Sequence, residues 1–207
     1  IRVFKHLAED VTFLLIKNKM LDIQSYEIYL YAVEVIILNG SILLTCLLIS
    51  ILSGELFHML AFILFFIPLR MLAGGYHCKR SEVCFLCSIG VYGLSIVLVH
   101  CAENLYVNIV MQILGILSII VIIVFSPLIN SNHLLEKYQI KRNKKIIYGM
   151  IAVDFVLYAV FYKLNLTMAS SEIVFIILVA LTLLLGTLKN IRNIYRENRL
   201  IEERNLK

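Results

Sequence analysis

The sequence predicts an all-α protein, a polytopic integral membrane helical bundle of about six transmembrane helices preceded by an amphipathic helix. Three observations carry this. Of the 207 residues, 61% are hydrophobic and only 16% are charged, with a mean hydropathy of +0.91. That leaves too little polar surface to cover a water-soluble domain of this length. The apolar residues gather into runs of about 20, the length a helix needs to cross about 30 Å of hydrocarbon. Lys and Arg fall between alternate runs, as they do in multi-pass proteins.

The elements follow in order. Residues 1–27 form the first. Val3, Phe4, Leu7, Val11, Leu14 and Leu15 recur at helical spacing, while Arg2, Lys5, Glu9 and Asp10 fall largely elsewhere on the wheel. This predicts an amphipathic helix that lies on the inner leaflet or packs on the bundle. Its scattered charge and lack of a small-residue cleavage site argue against a secretory signal. Residues 28–188 form the bundle, with spans expected at Tyr29–Ser53, Glu55–Leu72, Val83–Cys101, Tyr106–Ile129, Ile146–Lys163 and Ser171–Leu188. In lipid each must satisfy its own backbone hydrogen bonds, which a helix does. Residues 189–207, "KNIRNIYRENRLIEERNLK", form a basic tail with alternating charge, helical at first.

Charge placement orients the chain. With six alternating spans, every one of the 19 Lys and Arg residues except Lys163 falls on one side. Short basic loops stay cytoplasmic, so both termini and the stretch 70–84 are expected on that side of the cell membrane. The net charge of +5 then follows from topology, and nothing in the chain points to nucleic acid. The five cysteines, Cys46, Cys78, Cys84, Cys87 and Cys101, are odd in number and sit in or beside apolar runs. That is no secreted disulfide framework.

One stretch breaks the lipid pattern: "RMLAGGYHCKRSEVC", residues 70–84. Pro68 sits just before it and is expected to kink or end span two. Gly74 and Gly75 free the backbone from side-chain constraint. Cys84 falls near the start of span three, where unpaired N–H groups and the helix dipole favour an anion. His77 lies seven residues earlier, two turns and about 10 Å away on one continuous helix. If the chain folds back after the glycines, the imidazole can reach the thiol, and a Cys–His pair is how a sulfur nucleophile is activated. Plainer readings stand beside this one. A histidine in a loop can be ordinary polar surface, and a cysteine in an apolar helix a small hydrophobe. His77, Cys78, Cys84 and Cys87 are soft donors, but adjacent His77–Cys78 chelate poorly together and no second ligand pair appears, so no metal or other cofactor is expected. A redox Cys-x-x-Cys lacks its usual βαβ surroundings. Glu34, Glu55, His58, His100 and Asp154 are further polar groups in or near the spans, costly in lipid unless paired.

The stretch "FFIPLRMLAGGYHCKRSEVC" resembles the signature of the AgrB family, membrane endopeptidases of peptide quorum sensing. The shared pattern is Arg70, then Ala73, Gly74, Gly75, Tyr76 and His77, then Cys84. Length, amphipathic start and basic loop before span five are also similar, so residues 1–207 read as one AgrB-like membrane domain. Cys78 departs from the pattern, which commonly has a small residue there. The resemblance implies a cysteine endopeptidase that removes the C-terminal part of a short AgrD-type precursor peptide. Cys84 would form an acyl-enzyme, with His77 as base and acid. Arg70 would hold substrate or support the site with Gly74 and Gly75. A nucleophile within the peptide would then close a thiolactone or lactone. The resemblance also implies a homodimer. The competing class is a membrane transporter or peptide-export partner with residues 70–84 as a gate. Transporters more often show duplicated halves with broken helices in both, and here only one half carries a Gly-Gly break.

Overall fold

The structure is a computed structural model and describes residues 3–18, 22, 25–76, 78, 80–128, 137–164 and 166–205. Among the described residues there are seven helices and no strands. They are α1 (Val3–Lys17), α2 (Tyr26–Ser53), α3 (Leu56–Ala73), α4 (Ser81–Cys101), α5 (Leu105–Phe125), α6 (Lys137–Leu164) and α7 (Leu166–Asn205). Six of these, α2 to α7, are long and apolar enough to cross a membrane. The chain divides into two compact units, one of Ile1–Leu56 with Cys78–Leu94, the other of Phe57–His77 with Ser95–Lys207.

In the first unit α1 packs along α2. Ala8 and Thr12, one turn apart, are its fully buried residues, and Phe4 meets Phe85 of α4 at 5.6 Å between ring centroids. Val3, Leu7, Val11 and Leu14 stay exposed on α1. The helix thus uses small residues for close packing and keeps an apolar stripe available to lipid. Deeper in this unit Tyr92 of α4 is fully buried and its hydroxyl hydrogen-bonds Ser50 of α2.

The second unit is built on α7, the most enclosed of the spans. Val179, Ala180 and Leu183 of α7 pack with Leu69 and Ala73 of α3, Ile122 of α5 and Ile147 of α6. His58 of α3, almost wholly buried, hydrogen-bonds Ser171 of α7 through Nδ1 at 2.9 Å and Ser95 through Nε2 at 2.7 Å. Both ring nitrogens are satisfied, so this intramembrane histidine is a packing group. Asp154 of α6 and Glu172 of α7 are also buried here.

Local details differ from those expected. Pro68 does not end α3. A π-helical turn over Phe62–Phe66 precedes it, with Ile67 N–H bonded to Phe62 O, and the helix runs on to Ala73. The wider turn accommodates the pyrrolidine ring and its missing donor. Helix α5 stops at Phe125 rather than near 129, because Ser126 takes the extended backbone favoured by a residue that precedes proline. Helix α6 begins at Lys137, so the basic residues from Lys141 to Lys145 ride on a helix rather than a loop. Likewise α7 continues through much of the basic tail, to Asn205.

Candidate active site

Helix α3 closes with Gly74, whose φ of +79° suits a residue without Cβ, and whose N–H donates to Arg70 O at 3.2 Å. Gly75 follows at φ +150°. The chain then turns back on Arg70, whose Nη2 donates to Tyr76 O at 2.8 Å. Gly75 lies flat against the guanidinium. A Cβ there would stand 2.6 Å from Nη1 and 2.7 Å from Cζ. Arg70, Gly74 and Gly75 therefore form one structural device, a turn held by the cation it wraps.

This turn is tied to the rest of its unit through backbone. Tyr76 N–H donates to Thr182 O of α7 at 2.9 Å, and Leu128 N–H donates to Ala73 O at 2.9 Å. Gly186 of α7 permits the approach. A Cβ at Gly186 would meet Leu128 Cδ2 at 2.6 Å, Gly75 C at 2.8 Å and Tyr76 N at 2.9 Å. Lys189 Nζ sits 4.5 Å from the centre of the Tyr76 ring. The backbone leading into residue 77 is thus fixed by side chain on one side and helix on the other. His77 itself lies outside the described residues, as does Lys79.

Cys84 belongs to the other unit. It is partly buried in the first turn of α4, and its N–H donates to Arg80 O at 3.1 Å. One turn before it, Ser81 Oγ donates to Glu34 Oε1 of α2. This ties the start of α4 to α2. Cys78 is partly buried and Cys87 exposed. Among the described residues no three His, Cys, Asp or Glu side chains are gathered as metal ligands would be. Beside the first turn of α4 lies a cavity of about 290 Å³, lined by Lys5, Glu27, Tyr31, Glu34, Arg80 and Glu82 among others.

Sequence reasoning singled out Arg70, Gly74 and Gly75 but missed Thr182, Gly186 and Leu128, which complete the turn. Gly186 carried a signal: an isolated glycine in "LTLLLGTLKN" marks a place where backbone approaches backbone. The cavity was not legible, because its charged residues come from three separate helices.

Six membrane-length apolar helices with one polar break define a multi-pass membrane protein. The family model for Accessory gene regulator B, AgrB, matches residues 8–188, and the chain belongs to the AgrB family. Membership gives it a role in the accessory-gene-regulator quorum-sensing system, in peptide processing, with a peptide precursor as partner. No curated protein and no solved structure matches the chain.

Proposed function

We propose that this chain is a membrane cysteine endopeptidase that cleaves the C-terminal part from an AgrD-type precursor and lets the peptide cyclise. Cys84 is the nucleophile. Its thiolate attacks the scissile carbonyl, and the amine leaves with a proton delivered by His77. Exchanging the resulting enzyme thioester for a peptide thiolactone changes little bond energy, so ring closure from this intermediate is feasible. A thiol or hydroxyl within the peptide attacks it, forming a thiolactone or lactone and returning Cys84 to thiolate. Water must be excluded, since hydrolysis of the thioester competes with ring closure. Both termini and residues 70–84 face the cytoplasm, where a membrane-bound precursor is made, and the enzyme acts as a homodimer.

The observation that carries the reading is the turn at Arg70. An unusual backbone held by a guanidinium, Nη2 to Tyr76 O at 2.8 Å, directly before a histidine is the support a catalytic imidazole needs. A simple connector has no use for it.

The test uses purified protein in lipid nanodiscs with the precursor peptide encoded beside it. Cleavage is followed by mass spectrometry for wild type, Cys84→Ala, His77→Ala and Cys78→Ala. The reading expects a covalent adduct on Cys84 and loss of cleavage in the first two variants only. Equal behaviour of all four proteins overturns it in favour of a gate.

A further inference from the structure

Two carboxyl groups inside the second unit have no part in the chemistry assigned above. Glu172 of α7 is 0% exposed and Asp154 of α6 is 5% exposed. Among the described residues neither oxygen of Glu172 has a hydrogen-bond partner, and nor does Asp154 Oδ2. The two groups lie within Coulombic reach of each other where α6 packs on α7. Both sit inside apolar spans, Tyr138–Lys163 and Thr167–Asn193.

The neighbouring elements supply no countercharge. On α6 the cations closest in sequence to Asp154 are Lys145 and Lys163, each about 13 Å along the axis. On α7 the next charged residue after Glu172 is Lys189. Helix α5 carries no charged residue. On α3 His58 is bonded to Ser171 and Ser95, and Arg70 to Tyr76 O. Tyr158, one turn past Asp154 with Tyr162 beyond it, feels the Glu172 charge but does not donate to it.

An ionised carboxylate without a donor is among the costliest groups to bury, and a second like charge beside it adds to the cost. The three oxygens are shut off from water-sized space, so a water molecule does not fill the need. A metal ion takes several oxygen ligands, and among the described residues no third His, Cys, Asp or Glu joins the pair. A proton needs neither room nor further ligands. It neutralises one acid and makes that acid a donor.

We propose that Glu172 and Asp154 form a proton-binding site, with Glu172 holding a proton at neutral pH, and that this proton keeps α6 closed on α7. In water a glutamate is ionised at that pH. The closed helices therefore bind a proton that the opened helices release to water, and the contact weakens as pH rises.

The experiment uses the full chain in nanodiscs. Infrared spectra at neutral pH are compared for wild type, Glu172→Gln and Asp154→Asn. Wild type should show a carboxylic-acid C=O band that Glu172→Gln removes and Asp154→Asn shifts. From neutral to alkaline pH the band should fade in wild type while the melting temperature falls by about 2–4 °C per pH unit. In Glu172→Gln that slope should be absent. Glutamine is the neutral near-isostere of the protonated acid, so this variant should fold and melt like wild type at neutral pH. Its failure to fold would show that a charge is required at Glu172 and would overturn the site. So would the absence of the band from wild type, or its persistence in Glu172→Gln.

Discussion

Arg70 and Gly75 are in contact through a missing side chain: the guanidinium occupies the space that a Cβ on Gly75 would fill, 2.6 Å from Nη1. The pair explains why arginine and glycine occur together here. A planar cation lies against bare backbone and its Nη2 reaches Tyr76 O. Gly75→Ala adds a methyl to a backbone at φ +150°, which L side chains rarely adopt, and pushes the guanidinium off its acceptor. Cleavage is expected to fall by about a hundredfold, the usual cost of displacing a catalytic segment by about 1 Å. Turnover in nanodiscs, beside a melting curve showing a folded protein, checks this.

Arg70→Lys tests the planarity of the cation. Lysine keeps the charge but offers a compact ammonium in place of a flat fork. It cannot lie against Gly75 and still present a donor along the Nη2 direction. We expect about tenfold or greater loss of cleavage with normal membrane insertion. Activity equal to wild type would show that charge alone is required at this position.

Gly186→Ala should act at a distance in sequence. Its new Cβ meets Gly75 C at 2.8 Å and Tyr76 N at 2.9 Å, and backbone cannot swing aside as a side chain can. The Tyr76–Thr182 bond at 2.9 Å is expected to break, with activity falling nearly as far as in Gly75→Ala. Gly93→Ala is the contrast. Nothing lies within 4 Å of its Cβ, so it should leave activity unchanged and stabilise α4 by about 0.5–1 kcal/mol. Chemical denaturation in mild detergent separates the two.

Much of this was open to sequence reasoning, and the reasons are physical. The number of spans followed from hydrophobic length and from the side on which Lys and Arg fall, both imposed by the bilayer. Their ends were less legible. The hydropathy of a run does not register where backbone bonding stops, so α6 starts nine residues before the expected Ile146 and its basic first turns were taken for a loop. Of the two outcomes open at Pro68, a kink or an end, the end is excluded, because a π-helical turn carries the helix past it. Arg70, Gly74 and Gly75 were legible as a cluster, since glycine pairs beside an arginine have few uses in lipid. Their anchor on Thr182 and Gly186 was not, because contacts between residues more than a hundred apart leave no local period to read.

His58 offers a prediction about stability rather than chemistry. Its ring nitrogens meet Ser171 Oγ at 2.9 Å and Ser95 Oγ at 2.7 Å, and Phe175 lies 4.8 Å from it, centre to centre. Ser171 also donates to Thr167 O at 2.9 Å, so Nδ1 is the donor in the His58–Ser171 bond. Replacing His58 by Ala removes one hydrogen bond from each serine and opens a cavity beside Phe175. A loss of about 2–4 kcal/mol is expected from the lost hydrogen bonds and packing together. His58→Gln, which can still donate to one serine and accept from the other, should recover part of this. In both variants the protein that remains folded should form the Cys84 adduct at the wild-type rate, since the hydrogen bonds of His58 described above run to Ser171 and Ser95. Comparing melting temperature with adduct rate per folded molecule checks the separation. A slowed adduct in folded His58→Gln would instead make this buried histidine part of the catalytic support.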